Sequence, residues 1–347
     1  MMARAFWATA PGQGEIREEA LPPRAPEEAL LRTLASGVSR GTERLVLHGH
    51  VPESQWQAMR APLQEGDFPF PVKYGYAAVG VVEEGPPDLL GRRAFCLHPH
   101  QDRFLAPAAM CAPVPEAVPD RRAVLAANME TALNIVWDAA PIPGERVLVI
   151  GGGVVGLLCA YLVARFPGTN VTVQDTDPTR RAVAEALGAR FAAPGEAPAE
   201  QELILHASAS PEGLRAALGL AAMEARIVEA SWYGDRSVSL PLGEAFHARR
   251  LTLRSSQVGS VSPAMRGRRS HAERMALALS LLADPVLDAL VGPEVPFEAL
   301  PARMAALLAP PPAGEQASGE PAPLCPVITY GAAAGTTERG MHRACSA

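Results

Sequence analysis

The sequence predicts an α/β protein in which a doubly wound parallel sheet is joined to a β-rich domain. Three observations predict it. From Arg146 onward, short β-rich runs alternate with helical patterns at the spacing of a parallel sheet with crossover helices. A Gly-x-Gly-x-x-Gly string, Gly151 to Gly156, stands between the first of those strands and the helix after it. Before residue 127 the chain reads instead as short strands broken by Pro/Gly clusters.

Taken in order, the first third offers strands at 27–36, 76–85 and 92–98, with GPPDLLG as a typical breaker. RVLVI (146–150) then leads into an apolar helix. NVTVQD (170–175) leads into PTRRAVAEALGA, where Gly188 is a natural helix stop. Further strands are expected at 202–208, 225–231 and 251–256, which complete the alternating series. Two helical patterns follow at 271–284 and 297–309, then a Pro/Gly-rich loop and a short β-like run at 325–331. Residues 332–347 lack periodicity and are expected to form a disordered tail. The expected domains are therefore 1–127 with 259–331, and a nucleotide-binding domain at 128–258 inserted between them.

Composition narrows the function classes. The 347 residues are 48% apolar, enough for a sizeable core, and carry a formal charge of −6. No Lys/Arg-dense block appears, which argues against a nucleic-acid partner. Lys73 is the only lysine against many arginines, the mark of a compositional bias. Five cysteines with no C-x-x-C pair make neither a disulfide framework nor a zinc ribbon, so a reducing cytoplasm is expected. Val147 to Ala164 runs without a charge, but its four glycines split it into a strand and a helix rather than a membrane span.

The glycine string carries the strongest chemistry. Gly151 would allow a tight turn, Gly153 would let a pyrophosphate approach the backbone, and Gly156 would let the helix pack close to the strand. The helix N-terminus, with Val154 and Val155 in its first turn, would then face the phosphates. Asp175, 19 residues beyond Gly156, is placed to accept hydrogen bonds from ribose hydroxyls and to repel a 2′-phosphate. NAD is therefore expected, with NADP kept open by Arg180 and Arg181. Ala207, Ser208 and Ser231 fall at strand ends on the carboxyl edge of the sheet, where dinucleotides lie.

On these residues the chain resembles the medium-chain dehydrogenase/reductase superfamily, which pairs a GroES-like catalytic domain with a Rossmann domain. ASGVSRGTE (35–43) resembles its segment bearing the first zinc cysteine, and PVKYGYAAVGVVEEG (71–85) its Gly-His-Glu segment. PIPGERVLVIGGGVVG (141–156) resembles its entry into the Rossmann fold. The resemblance covers roughly residues 25–331 and implies dimerisation and a small-molecule substrate. It also shows a departure: the ligand positions hold Ser39, Tyr76 and, near the third, Ala127, with Ala77 where the adjacent glutamate stands. The structural-zinc loop is missing too, so no zinc is expected.

Without a metal, hydride transfer needs hydrogen-bond donors at the developing oxyanion, each contributing roughly 2.7–4 kcal/mol. Tyr76 could supply a proton and Ser39 a second hydrogen bond. Glu130 could act as a general base or cap its helix. Lys73, His98 and His100 could line the substrate pocket, and Cys96, His98 and His100 could share one strand face as a rival metal site. By resemblance Thr131 sits against the nicotinamide, near the crossover segment SSQVG (255–259).

The expected function is a soluble, zinc-independent NAD(P)-dependent oxidoreductase interconverting an alcohol and a carbonyl. SGVSRGTERLVLHG and the histidine-to-tyrosine change resemble most the bacteriochlorophyllide dehydrogenase branch, which implies a hydroxyethyl group on a tetrapyrrole as one substrate class. Quinone or enone reduction and non-catalytic NAD(H) sensing are the alternatives.

Overall fold

The computed structural model describes residues 1–309 and 323–331 of the chain; the expected tail lies outside them. A six-stranded parallel sheet runs, edge to edge, through Arg190–Ala192, Asn170–Gln174, Arg146–Ile150, Gln201–His206, Ala221–Glu229 and Thr252–Ser255. Numbered by chain position this is the order 3-2-1-4-5-6 of doubly wound dinucleotide folds. Its inner strands are near-continuous Val, Leu and Ile because helices cover both faces.

The β-rich half holds a seven-stranded sheet built around the long strand Glu28–Gly37. That strand pairs with Ala78–Glu84, Arg103–Pro107 and the returning strand Cys325–Thr329. A second, four-stranded sheet carries the hairpin Met2–Ala10 and Gln13–Ala20. Sequence periodicity missed this hairpin. Its second strand, QGEIREEA, is charged and fully or half exposed, so it has no apolar alternation to read. Pairing fixes it instead, with Phe6 opposite Ile16 and Gly12 turning the chain at φ +73°.

The two halves share one core. The helix Ala126–Ala139 buries Met129, Leu133 and Ile135 in a cluster containing Val79 and Phe95 of the β-rich sheet. The same cluster includes Val147 and Leu157 of the parallel sheet's first strand and helix. The uncharged stretch at 147–164 divides as expected into the strand Arg146–Ile150 and the helix Val154–Val163. No helix among the described residues is long and apolar enough to cross a membrane.

Candidate functional site

A cleft of about 1680 Å³ opens at the carboxyl edge of the parallel sheet, where strand order reverses between Arg146–Ile150 and Gln201–His206. The glycine string forms one wall, and each glycine has a measurable reason. Gly151 sits at φ +109°, and a Cβ there would lie 2.8 Å from the Ser208 backbone nitrogen. A Cβ on Gly156 would lie 1.9 Å from the Gly151 carbonyl oxygen, so the helix could not approach the turn. A Cβ on Gly153 would meet nothing within 4 Å, because that residue faces the open cleft.

The helix Val154–Val163 begins at Gly153 with no side-chain cap, so its first-turn N–H groups are left to a ligand. Asp175 ends the neighbouring strand: its Oδ2 accepts the Gly152 N–H at 2.5 Å and its Oδ1 the Asp177 N–H at 2.8 Å. Arg180 pairs with Asp177 at 3.2 Å on the cleft wall. Arg40, Arg44 and Arg236 line the same cleft. Burial lowers the Arg40 guanidinium below its usual range, and the nearby charges of Arg180 and Arg44 lower it further. Burial and then Arg236 do the same to Arg44. Crowded cations around an uncapped helix N-terminus suit an anionic ligand such as a pyrophosphate. The sequence reading missed Arg40, Arg44 and Arg236 because arginine is everywhere in this chain; Arg40 and Arg44 stood within the singled-out segment SGVSRGTERLVLHG, Arg236 in none.

Of the remaining cofactor expectations, Thr131, Ala207, Ser208 and Ser231 all face the cleft. Thr131 Oγ1 donates back to the Ala127 carbonyl at 2.9 Å, and Ser231 Oγ accepts the Ala209 N–H at 3.0 Å. Ser208 Oγ lies 2.7 Å from His206 Nε2.

Ser39, Tyr76 and Glu130 also line the cleft. Ser39 and Thr42 neighbour the Tyr76 phenol, and the Ser39 hydroxyl donates to Asn128 Oδ1 at 3.5 Å. Burial pushes the Tyr76 phenol up to about 12, with the Glu43 carboxylate adding to the shift. Ser39 begins the helix Arg40–Leu47, and its N–H donates to Glu43 Oε1 at 2.7 Å.

Glu130 corrects two expectations. It lies in the second turn of its helix, so it caps nothing, and Arg274 Nε holds its Oε1 at 3.0 Å. Arg274 is itself fully buried and donates at 2.6 Å to both Asn134 Oδ1 and the Val258 carbonyl. A carboxylate so engaged is a structural partner, not a free base. Burial raises the Glu130 carboxyl above its usual range more than Arg274 lowers it.

Lys73, His98 and His100 do not line this cleft. Lys73 is buried beneath the N-terminal hairpin, with Nζ 2.8 Å from Glu19 and 2.5 Å from Glu65. Gly75, at φ +136°, turns the chain between Lys73 and Tyr76, and Lys73 Nζ points to Glu19. The proposed alternation of Cys96, His98 and His100 fails because the strand Arg93–Cys96 ends there and the His98 N–H turns back onto the Cys96 carbonyl. His98 instead stacks on Phe104, with ring centroids 3.7 Å apart, and burial lowers its imidazole to about 3. His100 bonds Ser36 Oγ at 2.7 Å and Glu43 Oε2 at 3.0 Å. Among the described residues no three His, Cys, Asp or Glu side chains form a group able to hold a metal.

Comparison with known proteins fits this geometry. Residues 127–227 match the family model for the C-terminal domain of alanine dehydrogenase/PNT. The chain is 31% identical over 112 residues to D-xylulose reductase A of Aspergillus oryzae; that stretch is 31% of this chain and 31% of the relative. The match thus spans about a third of the curated relative's length. In structure the chain is similar to an alcohol dehydrogenase from E. coli CFT073 complexed with NADH, at TM-score 0.73 and 17% identity, covering 94% of this chain and 99% of that one. It is also similar to L-idonate 5-dehydrogenase from Escherichia coli, at TM-score 0.76 and 13% identity, covering 95% and 98%. The chain shares the fold of these solved dehydrogenases, a Rossmann sheet joined to a GroES-like β-rich half.

Proposed function

We propose that this protein is an NAD(P)-dependent oxidoreductase that interconverts an alcohol and a carbonyl without zinc. The observation that carries the reading is the glycine wall. Gly153 opens onto a cleft beside an uncapped helix N-terminus, and Tyr76 and Ser39 line the same cleft. A nicotinamide dinucleotide would be held by Gly151 to Val155 at its pyrophosphate and by Asp175 at its ribose. When bound it would supply or accept the hydride. The known relatives named as dehydrogenases and reductases support this class.

Zinc does not fit. Serine and tyrosine stand where the superfamily has cysteine and histidine, and alanine where it has the third ligand. In its place the chain offers a buried phenol. Raised to about 12, Tyr76 stays protonated at neutral pH and can donate to a carbonyl oxygen that is gaining negative charge. An alkoxide is a far stronger base than a phenolate, so the proton passes readily in the reducing direction. Met59, Pro62 and Met110, which also line the cleft, offer apolar contacts to a substrate.

The test has two stages. Quenching of protein fluorescence and a rise in melting temperature with NADH or NADPH would support the cofactor reading, and their absence at millimolar concentration would end it. A screen of alcohols, ketones and quinones at the nicotinamide absorbance band then follows. Turnover of quinones but not ketones would replace the alcohol–carbonyl reading with quinone reduction, and one tightly held zinc per chain would overturn the metal-free mechanism.

A further inference from the structure

The strands Gln201–His206 and Ala221–Glu229 are parallel neighbours, and their register sets His206 opposite Glu229 at the edge that faces the cleft. Glu229 Oε2 lies 2.7 Å from His206 Nδ1, and His206 Nε2 lies 2.7 Å from Ser208 Oγ. Glu229 is anchored further by the Ser231 N–H at 2.7 Å and the Tyr233 hydroxyl at 3.1 Å. The imidazole is fully buried and lies parallel to the Tyr233 ring, 6.5 Å away between centroids. Ser208, by contrast, is half-buried and lines the cleft.

Protonation states follow from this arrangement. Burial opposes ionisation of Glu229, but hydrogen bonds from His206 and Ser231 hold its carboxyl below the usual range. An ionised carboxylate only accepts, so Nδ1 carries a proton, and in the neutral imidazole Nε2 is then the acceptor for the Ser208 hydroxyl. Space for the pair comes from Gly213. A Cβ there would lie 2.8 Å from Ser208 Oγ and 2.9 Å from His206 Nε2. A serine that merely bonds a ribose needs no buried base behind it, and a buried imidazole needs partners this close to be tolerated. Nucleophile, base and orienting acid in hydrogen-bond contact are the arrangement of acyl-transfer enzymes.

We propose that Ser208, His206 and Glu229 form a second catalytic site, which hydrolyses carboxylic esters of small acyl groups in the dinucleotide cleft. Ser208 Oγ attacks the ester carbonyl carbon as its proton passes to His206 Nε2. The bond from that carbon to the alcohol oxygen breaks, and the alcohol leaves with the proton from the imidazolium. Water, deprotonated by His206, then attacks the acyl-serine and releases the carboxylic acid, and the proton returns to Ser208 Oγ. The uncapped N–H groups of the helix Val154–Val163 open on the same cleft and favour the anionic intermediate.

The experiment treats the full-length protein with 4-nitrophenyl acetate, follows nitrophenolate release, and maps the adduct by mass spectrometry. The expected result is nitrophenolate release beyond one equivalent per chain, with an acetyl group on Ser208 in samples acid-quenched during turnover, both absent in Ser208→Ala and release about 100-fold slower in His206→Gln. Release that persists in Ser208→Ala overturns the proposal, as does release at the same rate in His206→Gln. Should Ser208→Ala fail to fold, the mapped adduct and the His206→Gln rate decide. A fluorescence titration with NADH on the same preparation keeps the two readings apart. Acylation without NADH binding refutes only the dinucleotide reading, and binding without acylation refutes only this one.

Discussion

Replacing Arg274 with methionine would test how the floor of the cleft is held. The change removes donors to Glu130 at 3.0 Å, Asn134 at 2.6 Å and Val258 at 2.6 Å, and strands the Glu130 carboxylate in a site where both side chains are almost fully buried. Breaking a buried pair by deleting one partner costs about 3–5 kcal/mol. Arg274→Met should therefore lose about that much in urea unfolding at pH 7. The double variant Arg274→Met/Glu130→Gln should recover at least about 1 kcal/mol, because no buried charge remains.

The sign of the pH dependence follows from Glu130. Its carboxyl is already raised by burial against the pull of Arg274, and it must rise further once the guanidinium is gone. A carboxyl raised in the folded state destabilises folding above its folded pKa and ceases to do so below its unfolded value. The deficit of Arg274→Met should thus shrink as pH falls from 7 toward 5. A deficit unchanged across that window, or a Glu130→Gln change that adds to the loss, would refute the reasoning.

Three further expectations concern the cleft. Gly156→Ala would put a Cβ 1.9 Å from the Gly151 carbonyl oxygen, so NADH affinity by calorimetry should fall at least about tenfold, or about 1.4 kcal/mol. Asp175→Ser removes the carboxylate that faces a 2′-phosphate while Arg180 stays on the cleft wall, and the ratio of NADP to NAD binding constants should rise. An unchanged ratio would mean that Asp175 serves only to tie down Gly152 and Asp177. Tyr76→Phe should lower kcat for carbonyl reduction by roughly 10²–10⁴. In the wild type, kcat should show no loss from this phenol until pH nears about 12, because burial keeps it protonated.

Much of this was legible in the sequence because it is local. The strand at 146–150, the glycine turn and the aspartate 19 residues later are fixed by short-range backbone chemistry, and the structure has the strand, the turn and the aspartate at the end of the neighbouring strand. What escaped reading depends on partners distant along the chain. Glu130 looks like a free acid until Arg274, 144 positions away, is brought to it. Lys73 looks like a pocket residue until the N-terminal hairpin folds over it with Glu19. His206 has no local signature at all. It acquires Glu229 only through the register of two parallel strands, which no periodicity announces.

The shared core beneath the helix Ala126–Ala139 also bears on how such chains can be recombined. The parallel-sheet half is contiguous in sequence, yet a cut at 127/128 falls inside a helix whose apolar side is buried against both sheets. Arg274, from the helix His271–Leu281 beyond that half, reaches back to bond Asn134. A chimera that exchanges residues 128–258 between relatives would therefore inherit mismatched halves of one packing unit. The workable exchange carries Ala126–Ala139 together with His271–Leu281, so the module that can be transplanted is larger than the parallel-sheet half.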